Sequence, residues 1–203
     1  MRIFLCRHGE SAGDIEDRYG GDYDDPLSEN GQKQSRELAD KLDGFGIEVI
    51  YSSPRARANK TAEIISKSLG VPVIIAHDLR ERNAYGVLTG MVKSEAQQKY
   101  PKEVEKLKKE KLRHAVAGSE GYDSFKARVI GEFKKITALK EYSIVCIVSH
   151  GGPVSCIVRE VLKLGEISRL YDCAILEMET NNGKFNLVAV DGVEFESQNL
   201  LRR

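Results

Sequence analysis

Four short polar clusters in this chain carry residues that could do chemistry, and each comes just after a short apolar run. Arg7-His8-Gly9-Glu10 follows Ile3-Phe4-Leu5-Cys6, and Ser52-Ser53-Pro54-Arg55 follows Val49-Ile50-Tyr51. Leu79-Arg80-Glu81-Arg82 lies a few residues beyond Val73-Ile74-Ile75, and Ser149-His150-Gly151-Gly152 follows Ile144-Val145-Cys146-Ile147-Val148. In a parallel α/β sheet the carboxyl ends of the strands share one rim, so Arg7, His8, Arg55 and His150 are expected to converge there. Two arginines and two histidines make a donor-rich, positive site suited to a tetrahedral dianion. Arginine forks bind phosphate bidentately, and each charge-assisted bond is worth about 1.5–3 kcal/mol. The neighbouring guanidinium groups disfavour a further positive charge, so His8 is expected to stay neutral, with a lone pair able to attack phosphorus. His150 and the backbone of Gly151, at a helix start, can donate to phosphoryl oxygens. Phosphoryl transfer needs mainly positioning and charge stabilisation. The remaining requirement is a proton for the leaving oxygen, and Glu81 is the candidate acid, able to serve next as base toward water.

The elements that must position these residues are legible from periodicity. The first strand is followed by a long polar loop over 11–27, then by a helical pattern capped at Ser28, with Leu38, Ala39 and Leu42 on one face and Gly44 and Gly46 beyond its end. After the second strand, with Pro54 as an early helical residue, Ala58, Ala62, Ile65 and Leu69 mark a helix that Gly70 ends. The stretch 91–114 is rich in Lys, Glu and Gln and reads as an exposed helical insertion or lid. Phe125, Val129, Phe133 and Ile136 form the stripe of a helix over 122–139. The run 144–148 reads as a central parallel strand, and a helix follows it through Val154, Ile157, Val158 and Val161 to Gly165. Two alternating runs, 174–178 and 185–190, joined by Asn181-Asn182-Gly183, read as a hairpin. The order predicts an α/β fold: a mostly parallel sheet flanked by helices on both faces, with a C-terminal hairpin including an antiparallel edge strand. One domain over 1–203 is expected, with the lid at about 82–120.

Composition narrows the partners. The chain has 203 residues with Lys+Arg and Asp+Glu balanced at 31 each, so no global field favours nucleic acid or an anionic membrane, and any anion site is local. No signal-like leader and no apolar run of membrane length is visible, so the expected compartment is the cytoplasm. Cys6, Cys146, Cys156 and Cys173 have no CxxC spacing and read as buried free thiols. No HxH or HExxH spacing occurs, and two arginines beside the histidines would repel a cation, so no metal is expected. The implied partner is a small phosphorylated substrate; a homodimer is compatible with the sequence, which does not dictate it.

Taken together the clusters resemble the histidine phosphatase superfamily, in its phosphoglycerate mutase-like branch. The similarity rests on Arg7-His8-Gly9-Glu10, Leu27-Ser28-Glu29-Asn30-Gly31-Gln32, Tyr51-Ser52-Ser53-Pro54-Arg55-Ala56 with Thr61-Ala62, Glu81 with Gly86, and Ser149-His150-Gly151, in the family's order. It implies a phosphohistidine at His8, a phosphoryl group held by Arg7, Arg55 and His150, Glu81 as proton donor, and no metal. His150-Gly151-Gly152 looks more like the phosphatase members than the glycolytic mutases, and the lid lacks twin arginines, offering only Arg113 with Lys111 and His114 beside it. Asp14 stands where many members have Asn, and a carboxylate there must turn away from phosphate or be protonated. Asp14 and Arg82 are expected to be solvated loop residues, and His77 and His114 to have no role in the chemistry. The expected activity is a metal-independent phosphomonoester phosphatase without a cofactor. The alternatives are a phosphoglycerate mutase dependent on 2,3-bisphosphoglycerate and, third, a non-catalytic phospho-ligand binding module.

Overall fold

The computed structural model of the chain describes residues 1–109, 116–181 and 183–196. It begins with β1 (Arg2–Arg7), a short α1 (Ala12–Ile15), α2 (Glu29–Leu42), β2 (Val49–Ser52), α3 (Ala56–Leu69) and β3 (Val73–Ile75). The inserted α4 (Lys93–Lys99) and α5 (Pro101–Lys109) follow, then α6 (Tyr122–Ala138), β4 (Ile144–Ser149), α7 (Gly151–Ile157), β5 (Ile167–Asn181) and β6 (Lys184–Phe195). The strands form one sheet in the order β3-β2-β4-β1-β5-β6. The first four neighbours in that order run parallel, while β5 and β6 run antiparallel to what they pair with. The near-continuous apolar runs of β1 and β4 take the centre, where both faces are covered. Their register sets the rim: Arg7 lies opposite Ser149, and Ser52 opposite Val148, so three strands end within one residue of each other. The backbone N–H of His8 then donates to Ser149 O at 3.0 Å, which ties the two histidine-bearing turns together.

Each face of the sheet has its own core. Phe4, Cys6, Ile50, Cys146 and Val148 point to the side covered by Leu38, Ala39 and Leu42 of α2 and by Ala58, Ala62 and Ile65 of α3. Ile3, Leu5, Val145 and Ile147 point to the opposite side, against Phe125, Val129, Phe133 and Ile136 of α6 and Val154 and Ile157 of α7. The alternation of a strand and the 3.6-residue period of a helix account for both sets. Ser28 accepts from the Gly31 N–H at 2.8 Å and so caps α2. Gly31 has to be glycine: a Cβ there would sit 2.0 Å from Glu10 O, so the start of α2 packs backbone to backbone on the rim loop. Glu10 reinforces that contact by accepting from Ser28 Oγ at 2.5 Å.

Several expectations are corrected. α3 starts at Ala56 with Arg55 as its N-cap, so Pro54 precedes the helix. α7 continues as a π turn over Val158–Leu162 and stops at Lys163 in the left-handed conformation (φ 57°), short of Gly165. β5 begins at Ile167 rather than 174, because its outer part pairs only with β6 and is separated from the inner part by a register shift between Leu170 and Ile175. Cys173 lies in that bulge at φ 55°, and its N–H donates to His8 O at 3.2 Å. The irregularity hides the strand from a search for alternation and brings Leu170 and Asp172 to the rim. Leu88, Ala96, Val104 and Val116 make a small core of their own against Tyr19 and Tyr85. Lys111, Arg113 and His114 lie outside the described residues. Cys6, Cys146 and Cys156 are buried free thiols, and Cys173 is partly covered. Among the described residues no helix is long and apolar enough to cross a membrane.

Phe133 is fully buried beneath the sheet, with its ring centroid 5.3 Å from that of Phe185. Phe133→Ala is expected to cost about 3–5 kcal/mol in urea unfolding. Val188→Ala, on a half-exposed residue of β6, should stay within about 0.5 kcal/mol.

Candidate active site

The rim holds a buried pair of side chains that govern each other, His8 and Arg57. His8, the first residue past β1, is 4% exposed. Its Nδ1 lies 2.7 Å from Gly9 O, an acceptor only, so Nδ1 carries the proton and Nε2 keeps the lone pair. Arg57 Nε donates to that Nε2 at 3.0 Å. The other two nitrogens are engaged as well: Nη1 donates to Asp25 Oδ1 and to Tyr23 O, both at 2.6 Å, and Nη2 to Gly21 O at 3.0 Å. Asp25 is itself buried, and its Oδ2 accepts from the Gly13 N–H at 2.8 Å. The loop over 11–27 is therefore fastened to α3 through one guanidinium.

The sequence placed Arg55 at this point, and the structure puts Arg57 there instead. Arg55 turns outward and pairs with Asp22, Nε to Oδ1 at 2.7 Å. Helical periodicity explains the exchange. Arg57 shares the inward face of α3 with buried Thr61, whose hydroxyl donates to Arg57 O, whereas Arg55 precedes the first turn. An arginine in phase with Ala58, Thr61 and Ala62 was the signal that could have found it.

Arg7, His8, Gly151 and Glu81 line one cavity of about 280 Å³ together with Arg57. Arg7 Nη1 donates to Leu170 O at 2.6 Å and Nη2 pairs with Asp172 at 3.1 Å, both partners delivered by the β5 bulge. Its Nε is buried without a partner, and so is Nδ1 of His150. The His150 ring stands 4.9 Å from that of His8, with Nε2 2.7 Å from Ser53 Oγ. Since Ser53 Oγ accepts from the Arg55 N–H, it can give its own proton to Nε2, which leaves Nδ1 as a donor. Two orphaned buried donors beside an imidazole lone pair are what a bound oxyanion would satisfy. Asp14 also lines the cavity, with Oδ2 accepting from the N–H and hydroxyl of Ser11, so it is a tethered residue rather than a solvated one. Arg82 likewise is anchored, donating to Glu120 O.

Glu81 reaches the cavity from the turn after β3. Its Oε2 accepts from the Gly152 N–H at 2.9 Å and its Oε1 from the Arg82 N–H at 2.7 Å. A Cβ on residue 152 would lie 2.1 Å from Oε1, so glycine there makes room for the carboxyl. The turn is held from α6: Arg128 donates to Asp78 O, Arg80 O and Glu81 O at 2.7–3.0 Å and makes a two-point pair with Glu120.

Burial is the largest influence on both imidazoles, and it lowers their pKa well below 6.5. For His8 the charges of Arg57 and then Arg7 act in the same direction, against the bond to Gly9 O. For His150 they are Arg57, His8, Arg7 and Arg55. The unfolded chain therefore binds protons near pH 6.5 that the native chain does not, and stability must fall as pH drops below that value. The slope approaches about 1.4 kcal/mol per pH unit for each histidine. Urea midpoints measured in phosphate-free buffer should fall from pH 7 to pH 5; equal midpoints would contradict two buried neutral imidazoles.

The model of the histidine phosphatase superfamily (branch 1) matches residues 3–191. The uncharacterized phosphatase PhoE of Bacillus subtilis is 29% identical over 159 residues, 78% of this chain and 76% of that protein. A protein named probable phosphoglycerate mutase GpmB, from Escherichia coli O1:K1, is 28% identical over 187 residues, 88% of this chain and 85% of that one. The solved structure of YhfR from Bacillus stearothermophilus superposes with a TM-score of 0.83 at 26% identity, covering 94% of this chain and 96% of that one. With the family match running from β1 to β6 across every strand of the rim, the chain belongs to the histidine phosphatase superfamily, branch 1.

Proposed function

We propose that the protein is a phosphomonoester phosphatase that transfers phosphate to water through a phosphohistidine at His8, with neither a metal nor 2,3-bisphosphoglycerate taking part. The observation that carries this reading is the tautomer of His8: Nδ1–H is committed to Gly9 O, so Nε2 is the nucleophilic atom, and it lies beside the unsatisfied donors of Arg7 and His150. In the first step Nε2 forms a bond to phosphorus as the ester P–O bond breaks, and the proton of Glu81 passes to the leaving oxygen. Arg57 Nε, which donates to Nε2 in the free protein, passes its hydrogen bond to a phosphoryl oxygen as Nε2–P forms, and Arg7 Nε, His150 Nδ1 and the Gly151 N–H hold the other oxygens, where charge builds up. In the second step water attacks phosphorus, gives its proton to Glu81 and releases His8 and inorganic phosphate.

A phosphoglycerate mutase is the second reading, favoured by the similarity to GpmB. Hydrolysis is preferred because Gly152 has no space for a side chain that could hold a second acidic group, and because Arg18 and Lys93 at the cavity mouth are already paired with Glu16 and Asp17. In this reading the partner is a small phosphorylated molecule, and neither nucleic acid nor a membrane takes part.

Incubation with 3-phosphoglycerate, with and without 2,3-bisphosphoglycerate, should release phosphate faster than it interconverts isomers. Acid-labile, base-stable phosphate should be trapped on His8 and be absent from His8→Ala, which should lose turnover. Faster isomerisation, or a label on His150, would overturn the assignment. Arg57→Met should lower kcat by about 100- to 1,000-fold, the scale for losing one donor to a developing oxyanion, while Arg55→Met should cost less than about tenfold.

A further inference from the structure

Glu81 stands in the wall between two cavities. One is the 280 Å³ space at His8; the other, of about 220 Å³, is bounded by Ala84, Tyr85, Tyr122, Phe125 and the guanidinium groups of Arg82 and Arg159. Gly21 and Tyr85 border both, so the two spaces meet at the carboxyl group. We propose that the second cavity takes the organic half of the substrate and selects phosphomonoesters whose alcohol carries a flat aromatic ring over those of small anionic acids. This rests on the phosphatase reading, because it takes Glu81 as the group that protonates the leaving oxygen.

The leaving oxygen must lie at Glu81, so the carbon bonded to it starts at the junction of the cavities. The first cavity is walled by charge, with Arg7 and Arg57 beside His8 and Arg18, Lys93 and Asp14 elsewhere in its lining, and suits phosphate and water. The second is bounded by rings: half-buried Tyr122 and the edge of buried Phe125, tilted together at 6.1 Å, with the Arg82 guanidinium 5.7 Å from the Tyr122 centroid and 5.9 Å from that of Phe125, and the Arg159 guanidinium 5.0 Å from that of Tyr122. Stacked guanidinium and aromatic faces receive a further flat π system at low cost in side-chain entropy.

Charge in the second cavity does not favour an anion. Arg159 donates to both oxygens of Glu166 at 2.6 Å and to Tyr122 Oη at 2.8 and 3.0 Å, and Arg82 donates through Nε and Nη2 to Glu120 O. A carboxylate entering here would compete with those acceptors for the two guanidinium groups, and it would face Glu81. The volume is below the roughly 300–1,000 Å³ of sites for drug-sized ligands, so it matches a single ring with small substituents. In the balanced step, the ester P–O bond breaks as Nε2–P forms, the Glu81 proton goes to the alcohol oxygen, and the neutral aromatic alcohol leaves from this pocket.

The test compares benzyl phosphate with glycerol 3-phosphate and 3-phosphoglycerate, all of which release an aliphatic alcohol, so that leaving-group acidity does not decide the outcome. The expected result is a kcat/KM for benzyl phosphate at least about tenfold above either of the others. That preference should shrink at least about fivefold in Ser155→Met, which fills the pocket from α7, and in Tyr122→Leu, which removes a ring. Equal or better turnover of the two small esters, or a preference unmoved by both substitutions, would overturn the pocket assignment. If His8 is phosphorylated by all three esters without preference, the pocket reading fails and the phosphatase reading stands. If none of them phosphorylates His8, the phosphatase reading fails and takes this one with it.

Discussion

The site depends on one buried ion pair, Arg57 with Asp25, each about 5% exposed. Taking two charges out of water costs several kcal/mol per ion, and such a pair is tolerated only when the remaining hydrogen-bonding positions are filled. Here every nitrogen of Arg57 and both oxygens of Asp25 have a partner: carbonyls of Tyr23 and Gly21, the Gly13 N–H and the His8 lone pair join the ion pair itself. The pair therefore acts as a positional lock, holding the 11–27 loop over the rim and presenting one N–H to Nε2 of His8. Burial first, and the Arg57 charge after it, hold the His8 imidazole well below its usual protonation range.

Around that lock, geometry comes from register rather than from flexible side chains. β1 and β4 end in step, which makes neighbours of His8 and His150 although 142 positions of sequence separate them. The β5 bulge supplies Leu170 O and Asp172 to occupy two nitrogens of Arg7, so the guanidinium is fixed with its Nε left over. Arg128 fixes the other partner, drawing three carbonyls of the Glu81 turn toward α6. Rigid elements thus carry His8, His150, Arg7 and Glu81, and their supports lie one layer further out.

The strand ends were legible because apolar runs stop abruptly there, and that is why Arg7, His8, Glu81 and His150 could be named from sequence. Arg57 was not, because proximity to the strand end favoured Arg55, while only helical phase with Thr61 distinguishes the inward arginine. Asp25 lies in a loop that also holds Asp14, Glu16, Asp17, Asp22 and Asp24, and no local pattern says which acid is buried. The outer part of β5 escaped because its bulge interrupts alternation. In each case the missing information is tertiary: which side of an element faces the rim, and what meets it there.

A nucleophilic His8 has to be a neutral imidazole with its proton on Nδ1, and nitrogen NMR of the histidine-labelled protein reads that state directly. In the phosphate-free enzyme the two ring nitrogens of His8 should report Nδ1–H and a bare Nε2, unchanged as pH is lowered through 6.5 and beyond. An Nε2–H signal, or titration of His8 near 6.5, would contradict it.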